Sequence, residues 1–374
     1  MSYEGIGSIS EKIFVVIDIG SAYTKFGFAG EFSPRCIIPS EIKMPSTGIV
    51  RKIADYQDKD DLFDILVEFV FMLYTKYALI NAKGRAVIIV ESLLCPTIFR
   101  DTLAKVLFCH FEVGSIIWLP SHLVCLSTLN VETAIVLDVG YKEAVLFPIY
   151  QGVPLLNAWQ ALPLGSLAVH SQIKAILKGE NYDYDIAEKY IEDIKVRTCF
   201  VTNLERSKQY ALNKSPTPCP GLDYPIMGHQ SVKVSGKLRE TAFEVLFELD
   251  NDYQSVTTMI LDAILQCPKD MRKELAENIL LIGGTVMTTG FKARLREELL
   301  QQLESDRYKD KLFLKTFKFH SAPAKENYTA WLGGAIYGCT DIVSMRCLTK
   351  EAYLKDRRVP DWSNLQDNKL QNVL

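Results

Sequence analysis

Two short runs hold the residues whose types and spacing are most able to do chemistry. In the first, Asp18 follows the apolar run Ile13–Ile17, Gly20 and Ser21 come straight after it, and Lys25 lies in the next stretch, Tyr23–Phe28. A buried-type run, a sharp glycine turn and a returning strand predict a hairpin. Its tip would carry a carboxylate, a hydroxyl, an amine and several backbone N–H groups. Amides and lysine can cradle phosphate oxygens there while the carboxylate holds a hydrated Mg2+. An ordinary hairpin, with Asp and Gly serving only the turn, has the same local pattern.

The pattern recurs. Thr133–Gly140 is again an apolar run ending in Asp138-Val139-Gly140, followed by a second strand, Ala144–Tyr150. Two hairpins with Asp at the same place predict two similar halves facing each other across a cleft. Two glycine pairs add points of close backbone approach: Gly283-Gly284, before Thr285 and after the strand-like Ile279–Ile282, and Gly333-Gly334 in a helix-like segment. A glycine pair ending a buried strand lets the backbone touch a ligand such as a base or phosphate.

The elements that must position these tips need a large scaffold. At 374 residues the chain suits two domains, and its 48% hydrophobic content fits a folded globular protein. A net charge of −3 gives no reason to expect a nucleic-acid partner or an anionic membrane surface. Nine cysteines without a C-x-x-C spacing indicate neither a zinc ribbon nor a disulfide framework, and fit a reduced, cytosolic compartment. The N-terminus lacks signal-peptide features, and the most apolar runs, Asp61–Ile80 and Ile116–Leu129, carry charge or proline and read as buried helices rather than spans, so no membrane insertion is expected. No G-x-S-x-G, Walker A or HExxH motif is present. His110, His122, His170, His229 and His320 are scattered without metal-ligand spacing.

In chain order, a polar passage, 41–60, precedes the helical pattern Leu62–Val70. Ala86–Glu91 and Ser115–Leu119 read as buried strands. Pro96 starts a helix with Phe99, Leu103, Val106 and Leu107 on one face, and Ser121 opens another reaching about Leu129. Residues 165–252 read as an insert of two or three helices with a Pro-rich surface loop, 215–225. Met271–Asn278 and Phe291–Leu303 read as helices, the second followed by a charged extension, 304–311. The tail from Lys350 is polar and expected to be only partly ordered.

Several long motifs in order give the chain a resemblance to the actin family over nearly its whole length. The stretches Asp18–Ser40 and Leu137–Gly152 resemble the family's two phosphate loops. Asn278–Phe291 is similar to its adenosine motif, and Tyr328–Gly338 to its second connecting segment; Asp193–Val201 and Cys267–Ile279 also match. Tyr3–Ser8, Glu91–Pro96, Trp331–Gly338 and Arg358–Trp362 carry a nearer likeness to a divergent branch found at the pointed end of the dynactin complex.

The resemblance implies an α/β, actin-like duplicated ATPase fold of the ribonuclease H-like and Hsp70 type, with two domains around a nucleotide cleft. The domains would be 1–128 plus 326–374, and 129–325, with 165–252 an inserted fourth subdomain. It implies Asp18 and Asp138 on the Mg2+ side through water, and Ser21, Lys25, Gly140, Gly283, Gly284 and Thr285 around ATP. Departures are equally specific. Ala22 stands where a glycine is usual, Tyr141 and Lys142 replace the second loop's Asp-Gly, with Lys142 able to compensate as a point charge, and Val196 stands for a ribose-binding Glu. The water-holding Gln and His correspond to Ser121 and Val145, so hydrolysis is expected to be very slow or absent and no catalytic residue is assigned. Adjacent His122 should point about 100° away from Ser121 on a helix.

The interval 41–60, home of the family's pointed-end binding loop, is too short for both the usual small sheet and that loop. These features imply a non-catalytic subunit capping the pointed end of dynactin's short actin-like filament. Its partners would be filament subunits, other pointed-end subunits and, indirectly, dynein, in the cytoplasm. The contact face would include the tail around Tyr353 and Pro148–Tyr150. The alternatives are an active actin-fold ATPase or polymerising actin, which should keep the loop and the water-holding pair, and a nuclear actin-related protein of chromatin complexes, which should lack the dynactin-like segments.

Overall fold

Val15, Val16 and Ile17 lie fully buried in β1 (Val15–Ile19), which pairs antiparallel with β2 (Tyr23–Phe28); β3 (Cys36–Pro39) pairs antiparallel with β2. After β3 comes a separate ribbon of β4 (Glu41–Lys43) and β5 (Val50–Lys52). β6 (Ala86–Glu91) adds parallel to β1 and β7 (Ser115–Pro120) parallel to β6. These residues belong to a computed structural model that describes residues 13–180, 186–212, 214, 216–226 and 231–361. Residues 3–8, His229 and the tail from Trp362 lie outside that set.

The chain divides into two compact units, one running to Val131 and resuming at Tyr328, the other Glu132–Asn327. In the second, β8 (Ala134–Val139) pairs antiparallel with β9 (Ala144–Tyr150), which also takes β10 (Val153–Pro154) and β11 (Gln160–Leu162). β12 (Leu222–Pro225) and β13 (Ser231–Val234) form a separate ribbon, and β14 (Ile279–Ile282) lies parallel to β8. β15 (Leu348–Thr349) returns to the first sheet beside β7. Each unit thus contains a hairpin whose first strand is flanked by its antiparallel partner and a parallel strand, the mixed α/β plan expected.

Helix Lys59–Met72 shows why the first sheet is stable. Asp58 caps it by accepting from the amides of Asp60 and Asp61. Leu62, Ile65, Leu66, Phe69 and Val70 form one fully buried stripe at helical spacing. Arg51 of β5 ties the ribbon to this helix through a 2.5 Å ion pair with Asp61. The interval 41–60 therefore keeps a small sheet, but only two three-residue strands around the six residues 44–49.

One expectation needs correction, and the structure adds detail to two others. Among its described residues the insert has four α-helices, Ser166–Gly179, Glu188–Thr198, Leu204–Ala211 and Gly236–Thr241, where two or three were expected; the last, six residues capped by Ser235, is too short for periodicity to reveal. The charged extension 304–311 is anchored, since Tyr308 is fully buried and donates to Asp262 at 2.8 Å. Of the expected contact face, Tyr353, Pro148 and Ile149 are themselves buried, whereas Tyr150 is partly exposed and Glu351, Ala352, Leu354 and Lys355 beside Tyr353 are exposed. Tyr353 is 4% exposed and stacks on Phe108 with centroids 4.7 Å apart, and Pro148 and Ile149 are buried within β9. Among the described residues, no helix is long and apolar enough to cross a membrane.

Candidate functional site

At the first tip, antiparallel register places Lys25 directly across from Asp18, and its Nζ lies 3.0 Å from Asp18 Oδ2. Gly20 donates its N–H to Tyr23 O at 3.1 Å, and a Cβ on Gly20 would sit 2.8 Å from that oxygen, so the turn requires glycine. Ser40 Oγ donates to Gly20 O at 2.6 Å and so accepts from Thr24 Oγ1 at 2.8 Å. Ser40 N donates to Ala22 O at 2.8 Å, strapping the turn to the end of β3. Ser21 and Ala22 are partly exposed on it. Gly333 and Gly334 serve packing within this unit: Cβ atoms there would meet Val124 O at 2.1 Å and Val90 Cγ2 at 2.7 Å.

At the second tip the residue across from Asp138 is Val145, 2% exposed. Gly140 N donates to Glu143 O at 3.0 Å, and Lys142 is exposed on the turn. Burial pushes the Glu143 carboxyl up, against the pull of Lys142 and with the help of Asp138. Gly283 arrives from β14 with φ +98°, and a Cβ there would lie 2.4 Å from Val139 O and 2.5 Å from Asp138 Oδ1. Its N–H is bonded to Glu326 O at 2.9 Å, whereas nothing lies within 4 Å of a Cβ on Gly284.

Thr285 continues this contact into a directed chain. Its hydroxyl donates to Gly140 O at 2.9 Å and therefore accepts from Ser166 Oγ, also at 2.9 Å. Ser166 in turn accepts from Lys195 Nζ at 2.9 Å, and the same ammonium bonds Glu192 Oε2 at 2.7 Å. Burial pulls the Lys195 ammonium downward while Glu192 opposes it. His170, 1% exposed, is gripped from both sides. Its Nδ1 contacts Glu188 Oε1, and its Nε2 lies 2.8 Å from Glu192 Oε2 at an angle too oblique for a good hydrogen bond. Burial raises the Glu192 carboxyl, but His170 and Lys195 outweigh it and hold it at about 2. Lys174 bonds Glu188 at 2.7 Å, and the Tyr141 hydroxyl bonds it at 3.3 Å.

The structure thus brings Asp138, Gly140, Gly283 and Thr285 together in one unit and Asp18, Ser21 and Lys25 in the other. Val196 is 67% exposed. Ser121 and His122 are both buried, and the Ser121 hydroxyl lies 3.2 Å from His122 Nδ1. The expected divergence does not keep these two side chains apart: Ser121 is the first residue of the helical stretch Ser121–Val124, continued by the 3-10 turn Cys125–Thr128, and its hydroxyl still reaches the neighbouring imidazole. Ser166, Lys195, Glu192, Glu188 and His170 were not singled out from sequence. The usable signal was Glu188 and Glu192 at i, i+4 with Lys195 one turn on, a spacing that places all three on one helix face.

Chemically, the first tip fits a phosphate–metal ligand: a carboxylate and an amine 3.0 Å apart, each side chain about 15% exposed, beside a glycine turn. The second fits in part. It keeps Asp138, but its hydroxyls and the Gly140 and Gly283 amides are bonded within the protein. Among the described residues no group of three or more His, Cys, Asp or Glu side chains could hold a metal. A depression of ≈ 490 Å³ bounded by Leu249, Tyr253, Thr258 and Arg307 is lined by none of the tip residues.

The duplicated hairpins, each with Asp in the same register position, define an actin-type fold. The actin family model matches residues 9–358, and the chain belongs to the actin family. It is 27% identical to actin-related protein 10 of Dictyostelium discoideum, over 96% of this chain and 90% of that protein. It is also 27% identical to an actin-like protein of Neurospora crassa, over 86% of this chain and 90% of that protein.

Proposed function

We propose that the chain is a structural, non-catalytic actin-family subunit that caps the pointed end of dynactin's short actin-like filament and helps to recruit the other pointed-end subunits. In this role it supports dynein-driven transport along microtubules in the cytoplasm. The observation that carries the reading is the Glu41–Lys52 ribbon, whose two three-residue strands leave only residues 44–49 between them. A next subunit would have little to grip on that side, so growth stops. The dynactin assignment itself rests on the segments Glu91–Pro96 and Trp331–Gly338 and the likeness to an actin-related protein.

In the first unit Asp18, Ser21 and Lys25 would contact ATP with Mg2+; in the second Asp138 and the open Gly284 would do so, with Gly140, Gly283 and Thr285 shaping the backbone through bonds made within the protein. When bound, ATP would supply an anionic, metal-bridged ligand that neutralises Lys25. This chain's own residues are poorly suited to hydrolysis. Val145 has no polar atom in its side chain, and the Ser121 hydroxyl is engaged with His122, so neither holds a water in line.

The deciding experiment adds purified protein to actin-like filaments and follows both ends by fluorescence microscopy. Pointed-end growth should halt while the other end is unaffected. Growth past the subunit would overturn capping, and homopolymer formation by the protein alone would favour a polymerising actin. Nucleotide extracted from native protein should be mainly ATP; mainly ADP would contradict slow hydrolysis.

A further inference from the structure

The outermost segment of the second unit's sheet runs beside β14. Phe319 forms a parallel bridge with Ile279, and three backbone bonds fix the segment there: Ile279 N to Lys318 O at 2.9 Å, His320 N to Ile279 O at 2.8 Å and Lys318 N to Ala276 O at 3.1 Å. Those bonds occupy one edge. The amides of Phe317 and Phe319 alternate with those of Lys318 and His320 and face the other way. Neither makes a hydrogen bond among the described residues, and nor do the amides of Phe313, Leu314, Lys315 and Thr316. A row of unpaired backbone groups at a sheet edge is a template for another strand.

The side chains say which strand. Leu312 and Phe317 are buried, while Lys311, Phe313, Lys315 and Lys318 are exposed, Phe313 at 87%. From Lys311 to Lys325 the chain has four lysines and no carboxylate, in a protein of net charge −3. Lys318 is matched by Glu277 at 2.6 Å, but Lys311 and Lys315 have no carboxylate partner among the described residues. A second copy docked edge to edge would set lysine near lysine, which is destabilising, whereas a strand bearing carboxylates would be favoured at the same positions.

We infer that the segment 313–319 accepts an extended acidic segment of a partner protein as an added β-strand, with a carboxylate opposite Lys315, another within reach of the exposed Lys311 ammonium at the preceding turn, and an apolar side chain against Phe313. Backbone pairing supplies affinity and the lysines select for acid. The inference does not depend on the capping role.

The test uses the full chain and an end-blocked, dye-labelled peptide, Glu-Val-Glu-Val-Glu-Val-Glu. Binding should saturate, weaken with added salt, and slow hydrogen exchange of the amides of residues 313–319. The double variant Lys311→Glu/Lys315→Glu, checked to melt like the parent, should bind at least tenfold more weakly. The same peptide N-methylated at alternate residues should lose binding, because its charge is kept and its backbone donors are gone. No binding, or undiminished binding of the N-methylated peptide, would overturn strand addition. Concentration-dependent protection of 313–319 without peptide would replace the acidic partner by a second copy of the chain.

Discussion

In the first unit Asp18 faces Lys25 across its hairpin; in the second Asp138 faces Val145 at the same register position. On the opposite side both carboxylates are flanked by a parallel strand, at Val90 and at Ile282. The backbone device is repeated and its polar groups are used differently. The first tip keeps a charge pair, Asp18 with Lys25, that reaches solvent. The second takes its positive charge from Lys195 in the insert and spends it inward, through Ser166 and Thr285 onto Gly140 O. A duplicated fold can therefore keep its geometry in both halves while one half's polar groups become a structural brace.

Four substitutions, with Gly284→Ala as a control for the first, probe that contrast from the largest effect down. Gly283→Ala puts a Cβ 2.4 Å from Val139 O in left-handed backbone. The conformation costs about 1–2 kcal/mol and the overlap about 1–3 kcal/mol more. Gly284→Ala, with open space around it, should stay within about 0.5 kcal/mol of the parent. Urea midpoints compare the two, and equal shifts would show that the Gly283 contact with Val139 and Asp138 is not a fixed strut.

Lys195→Met leaves Glu192 to His170 alone and removes the head of the hydrogen-bond chain. Breaking a buried pair this way should cost roughly 3 kcal/mol. Hydrogen exchange at Thr285 should speed up in parallel; unchanged exchange there would disconnect Lys195 from the Gly283–Thr285 turn.

The third probe is acid. Glu192 is held at about 2, below the ordinary glutamate value of about 4.3. A depressed folded-state value contributes stability that is present above about pH 4.3 and lost as the pH falls toward 2. Glu188 is lowered too, with burial opposing and Lys174 and His170 prevailing. His170→Gln should reduce stability at neutral pH by about 1–2 kcal/mol and shrink the acid-dependent loss. Denaturation curves from pH 7 to pH 2 check this, and an undiminished acid loss would mean that other carboxylates dominate it.

Apart from the Gly284→Ala control, Lys25→Met should have the smallest effect on folding, about 1 kcal/mol or less, because the Asp18–Lys25 pair reaches solvent. A larger loss than that of Lys195→Met would invert the comparison and make the first tip the structural one.

Much of this architecture was legible in the chain. β2, β6, β9 and β14, and helix Phe291–Leu303, span the same residues that their hydrophobic patterns predict, because each is a strongly apolar or amphipathic run bounded by turn residues. The hidden elements were short or held from a distance: the three-residue strands of the Glu41–Lys52 ribbon, the six-residue helix Gly236–Thr241, and the extension pinned by Tyr308 on Asp262. The Ser121–His122 contact was hidden because helical spacing gives the direction of a side chain but not which rotamer brings a hydroxyl to a neighbouring ring.

By itself, the sequence determined the two strand–Asp-x-Gly–strand hairpins and the sharp turn at Gly20. These follow from alternation and turn sterics within a dozen residues. Only the tertiary structure decided which polar groups meet at the second tip. Ser166 reaches Thr285 from 119 residues away and Lys195 reaches Ser166 from 29. His170 finds Glu188 only because helices Ser166–Gly179 and Glu188–Thr198 pack side by side. Local periodicity sets which face of a helix is buried, but the partner that a buried ammonium or imidazole finds depends on how distant elements pack.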